Sequence, residues 1–258
     1  MKRYILLLSF GLLLATGCSK DADNDLNNKN LSVEEVKAQM HINSATEGLD
    51  ELLAAMMINN KSGSTAKNGS DCAVLSLTET SISVAYNQCT INGDMLDGTI
   101  TLTGNDGNLE GTNGSFVISF NAFRFNDYLL DGKKSITFDF SATNSPVFTI
   151  VTDMGLKNDE GEIKHKGSKI LTWHLGQLDG GEPDYSWTGE WDIAHKGTTY
   201  KFKVTEPLSG ALDCAYITAG VLVLEVDGVI ASLDFGQGAC DQKGTVKYPN
   251  GESEEISW

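Results

Sequence analysis

The segment "LTWHLGQLDGGEPDYSWTGEWDIAH" holds the densest set of side chains able to do chemistry. Three of the chain's 4 tryptophans, Trp173, Trp187 and Trp191, fall in it together with Tyr185. Asp179, Glu182, Asp184, Glu190 and Asp192 are interleaved with them. Aromatic faces stack on the C–H faces of sugars, while carboxylates accept hydrogen bonds from hydroxyls. Trp173, Tyr185, Trp187, Trp191, Glu190 and Asp192 are therefore the candidate ligand-binding set, with a glycan, a peptide or another envelope component as the expected ligand. Paired carboxylates could instead serve a glycosidase as acid and base, at a separation of about 5 to 9.5 Å. The bland alternative is that the rings fill the interior of a wide sheet.

Other catalytic signatures are missing. The histidines are His41, His165, His174 and His195, and the chain contains no HExxH, GxSxG, P-loop or GxGxxG. His165, in "KHKGSK", reads as part of a polar turn. Asp21, Asp23 and Asp25 imitate the start of a calcium loop. Leu26 then replaces the turn glycine, and Ser32 stands where a bidentate Glu belongs. No catalytic residue, metal ligand or cofactor is assigned, and the chain is read as a non-enzyme.

Five cysteines divide into two kinds. Cys18 follows Lys2 and Arg3, an apolar run from Ile5 to Leu14, and the small residues Ala15, Thr16 and Gly17, which is the layout of a secretory signal. The apolar run is about half of what a spanning helix needs. Leu14-Ala15-Thr16-Gly17-Cys18 resembles a bacterial lipobox, with Ala15 where a large aliphatic residue is usual. Cys18 would then be lipidated and become the first mature residue. Cys72, Cys89, Cys214 and Cys240 are even in number in an exported chain, which favours disulfides. Local pairing, Cys72 with Cys89 and Cys214 with Cys240, would contribute about 3 kcal/mol per bridge. A zinc site is the rival, and neither a CxxC nor a suitably spaced histidine supports it.

These residues need elements to position them. The formal net charge is −16, and a processed chain that loses Lys2 and Arg3 is more acidic still. Such a chain repels nucleic acid. Residues 18–31 read as an acidic flexible tether. Over 32–61 the period is helical: Ser32 and Glu35 form a capping box, and Leu49, Leu52, Leu53, Met56 and Met57 make an apolar stripe. From residue 70 to 258 the period is two. "GTITLTG", "SFVISF", "KSITFDF", "TYKFKV", "GVLVLEV" and "GVIASLDF" alternate apolar and polar residues. Phe123 and Phe125 fall out of phase with Phe116, Ile118 and Phe120, which predicts a bulge near Asn121. Asp227-Gly228 predicts a tight hairpin. Turns are also expected at Asp97-Gly98, Asp106-Gly107, Asp131-Gly132 and Asn250-Gly251. The expected fold is mainly β: a large antiparallel meander of roughly ten to thirteen strands, as a curved open sheet, a barrel or a sandwich, with a short N-terminal helical segment.

Two stretches carry a resemblance. "SKDADND", directly after Cys18, looks like the surface-export signal of Bacteroidota lipoproteins. Asp234-Phe235-Gly236, Gly238, Cys240 and Asp241 look like the C-terminal end of uncharacterised β-rich lipoproteins of the same bacteria. The resemblance implies a lipid-anchored module at the outer membrane, facing the cell surface, and carries over no activity. A binding or structural role is the leading expectation, a carrier of lipid or another hydrophobic ligand the alternative, and a carboxylate-based glycosidase the third reading.

Overall fold

The structure, a computed structural model, describes residues 31–40, 42–43, 49–50, 53, 72–91, 93–104, 112–142, 144–175, 184–211, 214 and 216–257. Cys18, the tether up to Asn30, Leu52, Met56, Met57, the linker after the helical segment, Asp106-Gly107, His41, Asp179 and Glu182 lie outside the described residues. A helix covers 33–40, and residues 42, 43, 49, 50 and 53 are also helical. Its start follows the sequence. The Ser32 hydroxyl accepts a hydrogen bond from the Glu35 amide at 3.1 Å, and the Ser32 carbonyl accepts one from Val36. The serine thus satisfies an amide that the first turn leaves without a partner.

Among the described residues the strands from Ala73 onward form one antiparallel sheet of 13 strands in strictly sequential order. The strands are β1 (Ala73–Leu77), β2 (Ser81–Ile91), β3 (Asp94–Gly104), β4 (Asn113–Phe125), β5 (Tyr128–Asp139), β6 (Val147–Asn158) and β7 (Gly161–His174). They continue with β8 (Asp184–His195), β9 (Thr198–Ala211), β10 (Ala219–Val226), β11 (Val229–Gln237), β12 (Lys243–Lys247) and β13 (Ser253–Ser257). The sheet is open, with β1 and β13 as its two edges. Alternation decides which side chains go inside. Ile136 and Phe138 of β5, Phe148 and Ile150 of β6, Leu171 of β7 and Leu222 and Leu224 of β10 are all buried on one face. Laid flat, thirteen strands would span about 60 Å. A short helical segment cannot cover that, so the sheet curls and buries its inner face against itself and the segment. Leu31, Val36, Met40, Leu49 and Leu53 join the same continuous core.

Bulges adjust the curl. Opposite Gly98 the ladder between β3 and β4 slips, and Ala122 takes a φ of 47°. A Cβ at Gly98 would lie 2.3 Å from the Ala122 carbonyl oxygen, so only glycine allows this approach. The phase change expected near Asn121 is therefore present. Asp97-Gly98 and Asp131-Gly132, by contrast, were expected to be turns and lie inside β3 and β5. Both glycines have positive φ, which a bulged strand uses as readily as a turn does. Asp227-Gly228 does turn the chain between β10 and β11, with φ of 50° and 79°, and Asn250-Gly251 turns it between β12 and β13.

The cysteines pair locally, Cys72–Cys89 and Cys214–Cys240, closing sequence separations of 17 and 26. Both cysteine pairs that the zinc alternative needed are thereby oxidised. The first bridge ties the entry of edge strand β1 to β2. The second joins the β9–β10 link to the chain after β11.

Candidate functional site

Strand alternation splits the aromatic and acidic residues of the Trp-rich segment between two faces of the sheet. Tyr185, Trp187 and Trp191 of β8 point inward and are buried, with Trp191 only 3% exposed. Trp173 of β7 is half-buried against the core. Glu190 and Asp192 point outward and are exposed. Tyr185, Trp187 and Trp191 therefore offer no surface on which a sugar could stack, and a ligand touching both them and the outward acids would have to pass through the sheet. This corrects the expectation that Trp173, Tyr185, Trp187, Trp191, Glu190 and Asp192 act together on a ligand. The rings pack the core instead. Tyr185 meets Trp187 edge-on at 6.4 Å, and Trp191 stacks on Phe202 of β9 at 5.5 Å and 4°.

The outward acids belong to a row of cross-strand neighbours. Lys133, Asp153, Lys166, Asp192, Lys201 and Glu225 are successive register partners from β5 to β10. Their charges alternate across six strands. Lys166 and Asp153 approach to 3.6 Å, and Lys201 and Glu225 to 3.3 Å. Glu190 sits between Ser168 and Lys203 in a neighbouring row. Opposite charges at facing positions support sheet pairing by roughly 0.2–1 kcal/mol each. Asp192 is thus accounted for by the sheet itself.

A different cluster lies inside. Lys134 of β5 and Lys169 of β7 occupy inner-face positions and are 1% and 4% exposed. Asp50 of the helical segment is fully buried between them, in direct contact with the Lys134 ammonium and 3.9 Å from that of Lys169. Lys169 Nζ also lies 4.1 Å from the centroid of Trp191 and 5.6 Å from that of Trp187. Such a contact stabilises a cation that has left water. His165, two inward positions before Lys169 on β7, is buried, and its Nε2 has no hydrogen-bond partner. The Trp191 Nε1 is buried and likewise unmet. Burial and then the charge of Lys169 pull the Lys134 ammonium well below its usual value, against the pull of Asp50. Burial and then the charges of Lys169 and Lys134 hold the His165 imidazole well below its usual value, so it is neutral at pH 7.

Two positions explain how these groups fit. Gly167 lies in the inner row between Thr152 and Trp191. A Cβ there would come within 2.4 Å of the Trp191 Cα, so its missing side chain lets the indole lie close to β7 beneath Lys169. At the other end, the Tyr200 hydroxyl of β9 donates to Glu35 at 3.0 Å, anchoring the helix to the sheet. Burial and Glu35 push the Tyr200 pKa up to about 12, so it stays a donor.

His165 thus lies within β7, not in a polar turn. Lys134, Lys169 and Asp50 escaped the sequence reading altogether. Their signal was phase. In "KKSITFDF" Lys134 shares the parity of Ile136 and Phe138, and in "HKGSKIL" Lys169 shares that of His165 and Leu171. Among the described residues no three His, Cys, Asp or Glu side chains converge as a metal site. No family model, curated protein or solved structure matches the chain.

Proposed function

We propose that the chain is an exported, lipid-anchored binding protein of the bacterial outer envelope, and that its binding surface is the apolar inner face of the open sheet. The ligand class is hydrophobic, which makes the protein a carrier or holder rather than an enzyme. One observation carries this reading. The apolar inner face of an open, curled sheet is completed by a separate short segment, which reaches it through the Glu35–Tyr200 and Asp50–Lys134 contacts. The two disulfides fit an oxidising compartment, and the lipobox-like Cys18 supplies the anchor. Burial of the tryptophans removes the support that a glycan ligand had.

A purely structural module is the second reading. It is favoured by the small size of the apolar pocket under Val36 and Met40, which has room for about one water molecule. Carriage therefore requires the segment to move. The experiment is native mass spectrometry of the Cys18→Ser chain purified from a bacterial periplasm without detergent, followed by titration of the delipidated protein with a fluorescent fatty acid. A co-purifying lipid mass or saturable micromolar binding supports the carrier. A bare mass together with no saturable binding leaves the structural module.

A further inference from the structure

The buried ion cluster has a division of labour. The sheet supplies two ammonium groups, Lys134 and Lys169, on an otherwise apolar face. The carboxylate comes from the helical segment, and Asp50 is the one buried carboxylate among the described residues. The other buried polar side chains of β6 and β7, Thr152 and His165, are neutral. Asp50 enters flanked by Leu49 and Leu53, both buried. Chemically, this part of the segment presents a carboxylate on an aliphatic body to two cations on an aromatic floor. Two more polar atoms on the neighbouring strand positions of β7 and β8, His165 Nε2 and Trp191 Nε1, are buried with no hydrogen-bond partner. Unmet buried groups cost stability and are retained where something else uses them.

We propose that Lys134 and Lys169, with His165 and Trp191, form the head-group site for an anionic amphiphile, a long-chain carboxylate, and that Asp50 occupies this site in the present structure. This rests on the reading of the inner face as a hydrophobic-ligand surface. The ligand's carboxylate replaces that of Asp50 on the two ammonium groups, and the buried Trp191 N–H and His165 Nε2 are the polar atoms left for its second oxygen. The alkyl chain takes the place of Leu49 and Leu53 along the inner face. No charge is added to the core by the exchange, because one carboxylate leaves as another arrives. This is why an acid fits and a cationic amphiphile does not. Segment and ligand compete for one site, so the apparent affinity is lowered by the fraction of molecules in which Asp50 is seated.

The test uses the wild-type chain with Cys18→Ser, titrated calorimetrically with oleate and with oleyl alcohol below their aggregation concentrations. The two probes share a tail and differ in the head group. Oleate is expected to bind at least about tenfold more tightly, the scale of one charge-assisted contact in a buried setting. Hydrogen exchange in residues 33–53 should rise as oleate saturates, because the segment is displaced. In Lys134→Met/Lys169→Met, which keeps volume and removes both cations, the preference should fall to about equal affinity. Equal binding of both probes to the wild type overturns the head-group site while leaving a hydrophobic carrier in place. Binding of neither overturns both readings. Oleate binding without increased exchange in 33–53 overturns the claim that Asp50 holds the site.

Discussion

Replacing Asp50 with Asn is the most informative single change, because it removes the counter-charge and keeps the shape. At an effective dielectric constant of about 20, the 3.9 Å separation from Lys169 corresponds to about 4 kcal/mol of attraction. The Lys134 contact is closer. Two buried ammonium groups would then face each other without their carboxylate. The loss has a ceiling, since either lysine can discharge by giving up its proton. Doing so at pH 7, from the ordinary value of 10.5, costs about 5 kcal/mol at about 1.4 kcal/mol per unit. Removing one partner of a buried pair typically costs about 3–5 kcal/mol, which lies under the same ceiling. Urea unfolding, followed by tryptophan emission and far-ultraviolet circular dichroism, should therefore place Asp50→Asn about 3–5 kcal/mol below wild type. Adding Lys134→Met should recover about 2 kcal/mol or more of that loss, because one of the two stranded cations is gone. If Asp50→Asn lies within about 1 kcal/mol of wild type, or if Lys134→Met adds a cost of its own, then the buried cluster does not hold the segment on the sheet.

Three further outcomes are expected. Below pH 6.5 the unfolded His165 binds a proton that the folded, depressed imidazole refuses, so stability should fall as the pH drops from 6.5 toward 5, and His165→Leu should flatten that slope in urea titrations at each pH. Cys214→Ser/Cys240→Ser opens a separation of 26 residues and should cost about 3.5 kcal/mol by the same unfolding assay, with non-reducing peptide mapping of the parent giving only the two local pairs. Metabolic labelling with a clickable palmitate should tag the wild-type protein and leave Cys18→Ala unlabelled; label on the alanine variant would refute the anchor.

Much of the fold was legible because a strand with one buried face writes its geometry into alternate residues. Phe116, Ile118 and Phe120, then Phe123 and Phe125 out of step, even located the bulge that Ala122 makes. Asp227-Gly228 and the local cysteine pairs were readable for the same reason, since neighbours in the chain are neighbours in space. Asp97-Gly98 and Asp131-Gly132 misled because a positive-φ glycine serves a bulge as well as a turn. The site was less legible. Tryptophans alternating with acids looked like a binding surface, yet the same alternation sends Trp191 inward and Asp192 outward. Lys134 and Lys169 stand in apolar phase, but a lysine is rarely buried without a partner, and theirs, Asp50, comes from a distant part of the chain. Only the folded structure brings the three together.

The sequential order of the strands also bears on how the molecule assembles. Each strand of the meander pairs with the one before it, so the sheet can grow hairpin by hairpin in chain order. Cys72 and Cys89 can oxidise as soon as the first hairpin is out, whereas Cys214 and Cys240 meet only near the end. The helical segment comes first in the chain and yet finds its partners late: Asp50 waits for β5 and β7, and Glu35 for Tyr200, 165 residues downstream. Closing so long a loop is entropically costly and slow compared with hairpin growth. Nucleation thus belongs to the sheet, and docking of the segment is a separate, later kinetic phase. Until that phase is complete, the inner face stands with its two lysines still uncovered.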